Sequence, residues 1–172
     1  MGYRNNRGLT LPELAITLVV AGILLGVAVP GFQDLVARSR LTTTTNLLVA
    51  SLHLARSEAV RSGHHATICP GDADGCRPGS YDRGWIVFLD LNRDGRHQAG
   101  EPIRRVFDAM GAGVSATGNS TVSDYVMYTP RGYTQRASGA FQAGTLTLCT
   151  PPHARRIVIS RSGRPRVEKA SC

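Results

Sequence analysis

"RGLTLPELAITLVVAGILLGVAVPGF", residues 7–32, decides how the rest of the chain is read. Residues 14–29 hold no charged side chain, and Arg4 and Arg7 precede them. A basic start followed by an apolar run fits a cleaved secretory signal, for which Gly26-Val27-Ala28 offers a small-x-small site, or a plain membrane anchor. The run is at the short end for a spanning helix and reaches full length only with Leu9–Pro12 and the residues past Pro30. Neither plain reading explains Glu13. A carboxylate at the edge of an apolar run is costly in lipid and calls for a charged partner. Pro12 falls in the first helical turn, where a missing N–H costs little.

Past Pro30 the helical pattern continues. Leu41, Leu48, Leu52, Ala55 and Ala59 recur at steps of three, four or seven and form one apolar stripe. Thr43, Asn46, Arg56 and Arg61 fall off that stripe, and Gly63 is a natural C-cap. These features predict one long helix, membrane-embedded in its first half and packed on a sheet in its second. From residue 66 the pattern changes to short β-like runs: 66–69, 85–89, 103–107, 125–128, 146–149 and 156–160. Gly, Pro and Asp-Gly punctuate them, which favours antiparallel pairing over βαβ units. A chain of 172 residues is then one modest α+β body behind an apolar helix.

The net charge of +8 is unevenly placed. Residues 131–172 carry eight cations against one acid, Glu168, a net of +7. Arg161, Arg164 and Arg166 fall within six positions, with Arg155, Arg156 and Lys169 nearby. Arginine outnumbers lysine nineteen to one, and its planar fork suits phosphate better than an ammonium does. The bland reading is an edge strand charged against sheet-to-sheet aggregation. It explains neither the concentration nor the choice of arginine. Gly163 and Pro165 predict a turn that fans the three guanidiniums outward, toward a polyanion.

Four cysteines, Cys69, Cys76, Cys149 and Cys172, permit three pairings, and sequence alone does not choose among them. No C-x-x-C spacing calls for zinc, so two disulfides in an oxidising compartment are expected. Cys69–Cys76 with Cys149–Cys172 is the preferred pairing, since the second bond would tie the last residue to a strand and hold the arginine loop. "DLNRDGRHQAGE" fits the calcium-loop spelling, with Asp90, Asn92, Asp94 and Glu101 as ligands. Its flanks read as strands rather than helices, Arg93, Arg96 and His97 crowd it, and Asx residues also build tight turns. No metal and no cofactor is expected. The histidines His53, His64, His65, His97 and His153 read as surface or helix-end residues, and Trp85 as core. No nucleophile elbow, H-E-x-x-H or phosphate loop is present, so an enzyme is not expected.

Gly8, Glu13 and Pro30 at these spacings resemble the N-terminus of type IV pilins and pseudopilins. That resemblance implies a leader, residues 1–8, cut by a prepilin peptidase between Gly8 and Leu9, with N-methylation of Leu9. Leu9 stands where the family usually has phenylalanine. Residues 9–30 would be the transmembrane and filament-core segment, and Glu13 would pair with a neighbouring subunit's amino terminus. "ATICPGDADGC" and "RGWIVFLDLNRDGRHQAGEPIRR" further resemble the FimT/GspH family of minor pilins and pseudopilins. The resemblance implies a pilin-like fold, a periplasmic body over residues 31–172, other pilins as partners, and an inner-membrane location before assembly into an extracellular pilus. FimT-type pilins of naturally competent bacteria carry a C-terminal G-R-x-R motif that binds DNA, and Gly163-Arg164-Pro165-Arg166 matches it. The leading expectation is therefore a minor pilin whose arginines catch extracellular DNA. Two rivals stand beside it: a structural H-type pseudopilin of type II secretion, and a secreted calcium-binding domain released after Ala28.

Overall fold

Helix α1 spans Leu11–Ser62. It opens with Pro12 and Glu13 in its first turn, where a proline is tolerated and a carboxylate faces the positive end of the helix dipole. It closes at Gly63, whose φ of 70° is left-handed and whose N–H reaches the Ala59 carbonyl at 3.1 Å. The computed structural model describes residues 10–77 and 79–172, the side chains of Leu25, Val27 and Pro30 excepted. The processing residues Gly8 and Leu9 therefore lie outside the described residues, as does the side chain of Pro30.

The two halves of α1 meet different surroundings. Between Leu11 and Leu35, large apolar side chains such as Ile16, Ile23, Leu24 and Phe32 are exposed. Among the described residues no helix is long and apolar enough to cross a membrane. The expected span 9–30 includes Leu9, Leu25, Val27 and Pro30, to which that statement does not extend. In the second half Leu41, Leu48, Leu52, Ala55 and Ala59 are all buried, as their spacing requires. Ala37–Cys172 form one compact unit and the described residues up to Val36 another.

Among the described residues nine strands follow: β1 His65–Asp72, β2 Gly75–Cys76, β3 Trp85–Asp90, β4 Ile103–Phe107, β5 Ser115–Gly118, β6 Val126–Tyr128, β7 Gly144–Thr150, β8 His153–Ile159 and β9 Pro165–Ser171. One sheet has the order β2-β1-β3-β4, with β6 also on β1, and the other β5-β7-β8-β9; all pairs are antiparallel. Strand β3, "WIVFLD", is buried on both faces, and its residues 85–89 read as a continuous apolar run closed by buried Asp90. In β8, Ile157 and Ile159 turn into the core, which includes Leu146, Leu148 and the helix stripe. The Trp85 indole N–H donates to the Ser51 hydroxyl of α1 at 2.9 Å, and its ring stacks on Phe107 at 5.1 Å. A buried tryptophan with its N–H satisfied fixes the helix on the first sheet.

Strands β2, β5 and β9 carry no apolar alternation and were not legible as strands. β9 matters most. Among the described residues "PRVEKAS" pairs with β8 alone, so it is an edge, and edges tolerate the charge and proline that a central strand rejects.

Candidate nucleic-acid interface

The β8–β9 connection is a tight turn held by its own backbone. The Gly163 N–H donates to the Ser160 carbonyl at 2.9 Å and the Ser160 N–H to the Arg164 carbonyl at 3.4 Å. Gly163 is buried with φ of 74°. A β-carbon there would lie 2.6 Å from the Gly132 carbonyl and 2.9 Å from the Tyr128 ring, so both the conformation and the space demand glycine. From the side, Thr134 clamps the turn. Its N–H reaches the Arg161 carbonyl at 3.4 Å and its hydroxyl the Ser160 carbonyl at 3.2 Å. None of these contacts uses a guanidinium.

The arginines divide. Arg161 and Arg164 belong to the turn and are exposed. Arg166 does not belong to it: it is the second residue of β9, and its guanidinium donates twice to Glu168, at 3.0 and 2.7 Å. The expectation that one turn fans all three outward is corrected accordingly, because Pro165 begins the strand. Arg166 still keeps 72% of its side chain in solvent, and an exposed pair of this kind is weak. Cross-strand register places Arg156 opposite Glu168 and Arg155 opposite Lys169. Period-two alternation then puts Arg156 and Arg166 on one face, and Arg155 and Lys169 on the face shared with buried Ile157 and Ile159. Arg155 donates to the Thr42 hydroxyl of α1 at 3.1 Å, tying sheet to helix. The three nearby cations are thus not one patch.

Beside the turn stands a second hairpin, missed in the sequence. Gln135 bridges Phe141, and the Arg136 N–H donates to the Ala140 carbonyl at 2.8 Å. Buried Gln142 anchors it, accepting from the Met127 N–H at 2.9 Å and donating to the Thr121 and Tyr125 carbonyls at 2.9 and 2.8 Å. Tyr133, Gln135, Gly139, Phe141, Arg161 and Ser162 line an open groove of about 550 Å³ between hairpin and turn. The Arg161 guanidinium carbon lies 5.5 Å from the centre of the Phe141 ring, a cation–π contact. "YTQRASGAFQ" mixes aromatic and basic residues, but nothing local to it pointed toward residue 161.

The calcium-spelled loop directs its carboxylates inward. Asp90, wholly buried, accepts from the Thr67 hydroxyl and the Gly95 N–H at 2.9 Å each and from the Asp94 N–H at 3.2 Å. Glu101 accepts from the Leu91 and Gln98 N–H groups at 2.8 and 2.9 Å. Asn92 and Asp94 bond each other and the loop backbone. Among the described residues no group of three or more His, Cys, Asp or Glu is arranged to hold a metal ion. His97 in this loop bonds the Glu101 carbonyl at 3.0 Å. His65 is buried rather than surface-borne, and desolvation lowers its pKa from 6.5. Burial raises the phenols of Tyr81 and Tyr128. Disulfides join Cys69 to Cys76 and Cys149 to Cys172. The second links β7 to the residue after β9, so the arginine hairpin is fastened at its open end as well as at its turn.

A long N-terminal helix, apolar in its outer half and covered by antiparallel sheets along its inner half, defines a pilin-like subunit. Residues 44–163 match the family described as Type II transport protein GspH, and residues 3–29 match the prokaryotic N-terminal methylation motif. The chain belongs to the GspH family of minor pilins and pseudopilins. It is 30% identical to the pilin-like protein PilA1 of Thermus thermophilus over 170 residues, 94% of this chain and 98% of that one. Its fold is similar to that of the type IV minor pilin FimU of Pseudomonas aeruginosa, with a TM-score of 0.59 at 23% identity over 78% of this chain and 96% of that one. It is also similar to the minor pseudopilin EpsH of the Vibrio cholerae type 2 secretion system, with a TM-score of 0.50 at 11% identity over 77% and 97%.

Proposed function

We propose that this chain is a minor type IV pilin of the FimT kind that joins or primes a pilus and binds extracellular DNA through the β8–β9 turn, supporting DNA uptake in natural transformation. One observation carries the reading. Arg161 and Arg164 are exposed on a turn whose architecture needs neither guanidinium, within a stretch that nets +7. Cations freed from structural duty can meet phosphates, and phosphate contacts carry no base sequence. Arg166 can join them by exchanging Glu168 for a phosphate, with Arg156 on the same face.

The N-terminal half of the proposal concerns assembly. A prepilin peptidase would cut between Gly8 and Leu9, Leu9 would be N-methylated, and Glu13 would pair with the amino terminus of a neighbouring pilin. The helix would hold the subunit in the inner membrane, with the body in the periplasm until the pilus forms. The relatives named as pilins and the methylation motif support this course.

The test is a gel-shift series on the detergent-solubilised full chain with unrelated DNA fragments at several salt concentrations. Binding should be similar across sequences and weaken with salt. In the Arg161→Ala/Arg164→Ala variant the log–log salt slope should fall by about 1.8, two phosphate contacts at about 0.9 each. An unchanged slope removes both residues from the site. The family description and the EpsH-like fold favour a second reading, a structural pseudopilin of type II secretion. That reading expects no nucleic-acid binding even at about 50 mM salt.

A further inference from the structure

We infer that the groove between the two hairpins takes unpaired bases, so that the ligand of this site is single-stranded nucleic acid or a frayed duplex end rather than an intact duplex alone. The inference rests on the DNA-binding reading above and goes further, because phosphate contacts by themselves give the site no use for an aromatic surface.

The groove has what stacking requires. Phe141 is 61% exposed and Tyr133 36%, two aromatic side chains left in water beside the arginine turn. Both line the same groove as Arg161, which already lies over the Phe141 ring at 5.5 Å. Backbone bonds hold both walls: the hairpin by Arg136 N–H to Ala140 and Gly139 N–H to Arg136, the turn by Thr134. A platform fixed in this way loses little freedom on binding.

Charge selects the occupant. Residues 125–167 contain no Asp or Glu, while Arg131, Arg136, Arg161 and Arg164 all lie on exposed loop positions within them. An apolar peptide would leave those cations unmatched and an acidic peptide would leave the aromatic faces unused, whereas a nucleotide offers a flat π-face to Phe141 or Tyr133 and a phosphate to Arg161. A cavity of about 550 Å³ falls in the size range of small-ligand sites and accommodates a base with its sugar. Every base has a π-face, so this contact also leaves sequence unread.

The experiment compares three fluorescein-labelled probes by anisotropy, using the detergent-solubilised full chain. They are an oligothymidylate of about 15 nucleotides, an abasic strand with the same phosphates, and a blunt duplex of the same length. Oligothymidylate should bind about tenfold tighter than the abasic strand. Phe141→Leu, which keeps an apolar side chain without the ring, should reduce the ratio of thymidylate to abasic affinity, both read on the same variant. Equal affinity of the unaltered protein for the thymidylate and abasic strands overturns the stacking site while leaving the arginine turn intact. Binding to none of the probes overturns both. The wild-type comparison needs no variant, so a folding defect in Phe141→Leu cannot rescue or hide the result.

Discussion

The loop from Asp90 to Glu101 buries the carboxylates at its two ends, whereas the turn from Ser160 to Arg164 keeps its guanidiniums out. Both segments are polar, both contain a left-handed glycine, and both spell a ligand motif. The difference lies in which groups build the loop. In the first, backbone N–H groups converge on Asp90 and Glu101, so the charges are already used in holding the chain. In the second, backbone bonds and the Thr134 hydroxyl hold the chain, and the charges are left over. A motif is available to a ligand only where its charges are not structural.

Removing Asp90 is the hardest test of this contrast. Asp90→Ala strands the Thr67 hydroxyl and the Gly95 N–H in a buried site and takes one of two acceptors from the Asp94 N–H, and should cost about 3 kcal/mol or more in urea unfolding followed by tryptophan fluorescence. A loss under about 1 kcal/mol would mean the loop does not depend on its carboxylate. Gly163→Ala comes next. It forces a β-carbon into a left-handed residue 2.6 Å from a carbonyl and should cost about 2 kcal/mol, read as a lower thermal midpoint.

Acid should act through a histidine paired with the first region. His65 pairs with Asp90 across β1 and β3, and burial lowers its pKa in the folded chain. The unfolded chain therefore binds a proton more readily. Stability should be level above pH 6.5 and decline as pH drops below it, no more steeply than about 1.4 kcal/mol per pH unit for this one group. His65→Gln should flatten that part of the curve; an unaltered profile would assign the acid sensitivity elsewhere. The smallest effect belongs to Arg161→Ala/Arg164→Ala, which should move stability by no more than about 0.5 kcal/mol in the same unfolding assay. A large loss would show that the guanidiniums are structural and would collapse the contrast.

The elements most legible in the sequence are those whose pattern is local. The stripe from Leu41 to Ala59 needs only helical periodicity to declare its buried face, and "WIVFL" needs only to be continuously apolar. Gly63 is read by its position at the end of that stripe. β9 was hidden because an edge strand has one neighbour and is free to carry Arg166, Glu168 and Lys169, so its side chains say nothing of pairing. The groove was hidden because Arg161 lies far along the chain from the hairpin that carries Tyr133 and Phe141, and they meet only where the two hairpins pack.

Composition and spacing alone determined that an apolar helix precedes an antiparallel body and that cations gather at its C-terminal end. Only the folded chain decided which of those cations are available. Strand register sent Arg155 and Lys169 to one face and Arg156 and Arg166 to the other, and gave Arg166 a carboxylate neighbour at residue 168. The physical reason is that charge is a property of a residue, whereas its availability is a property of the neighbours that packing supplies.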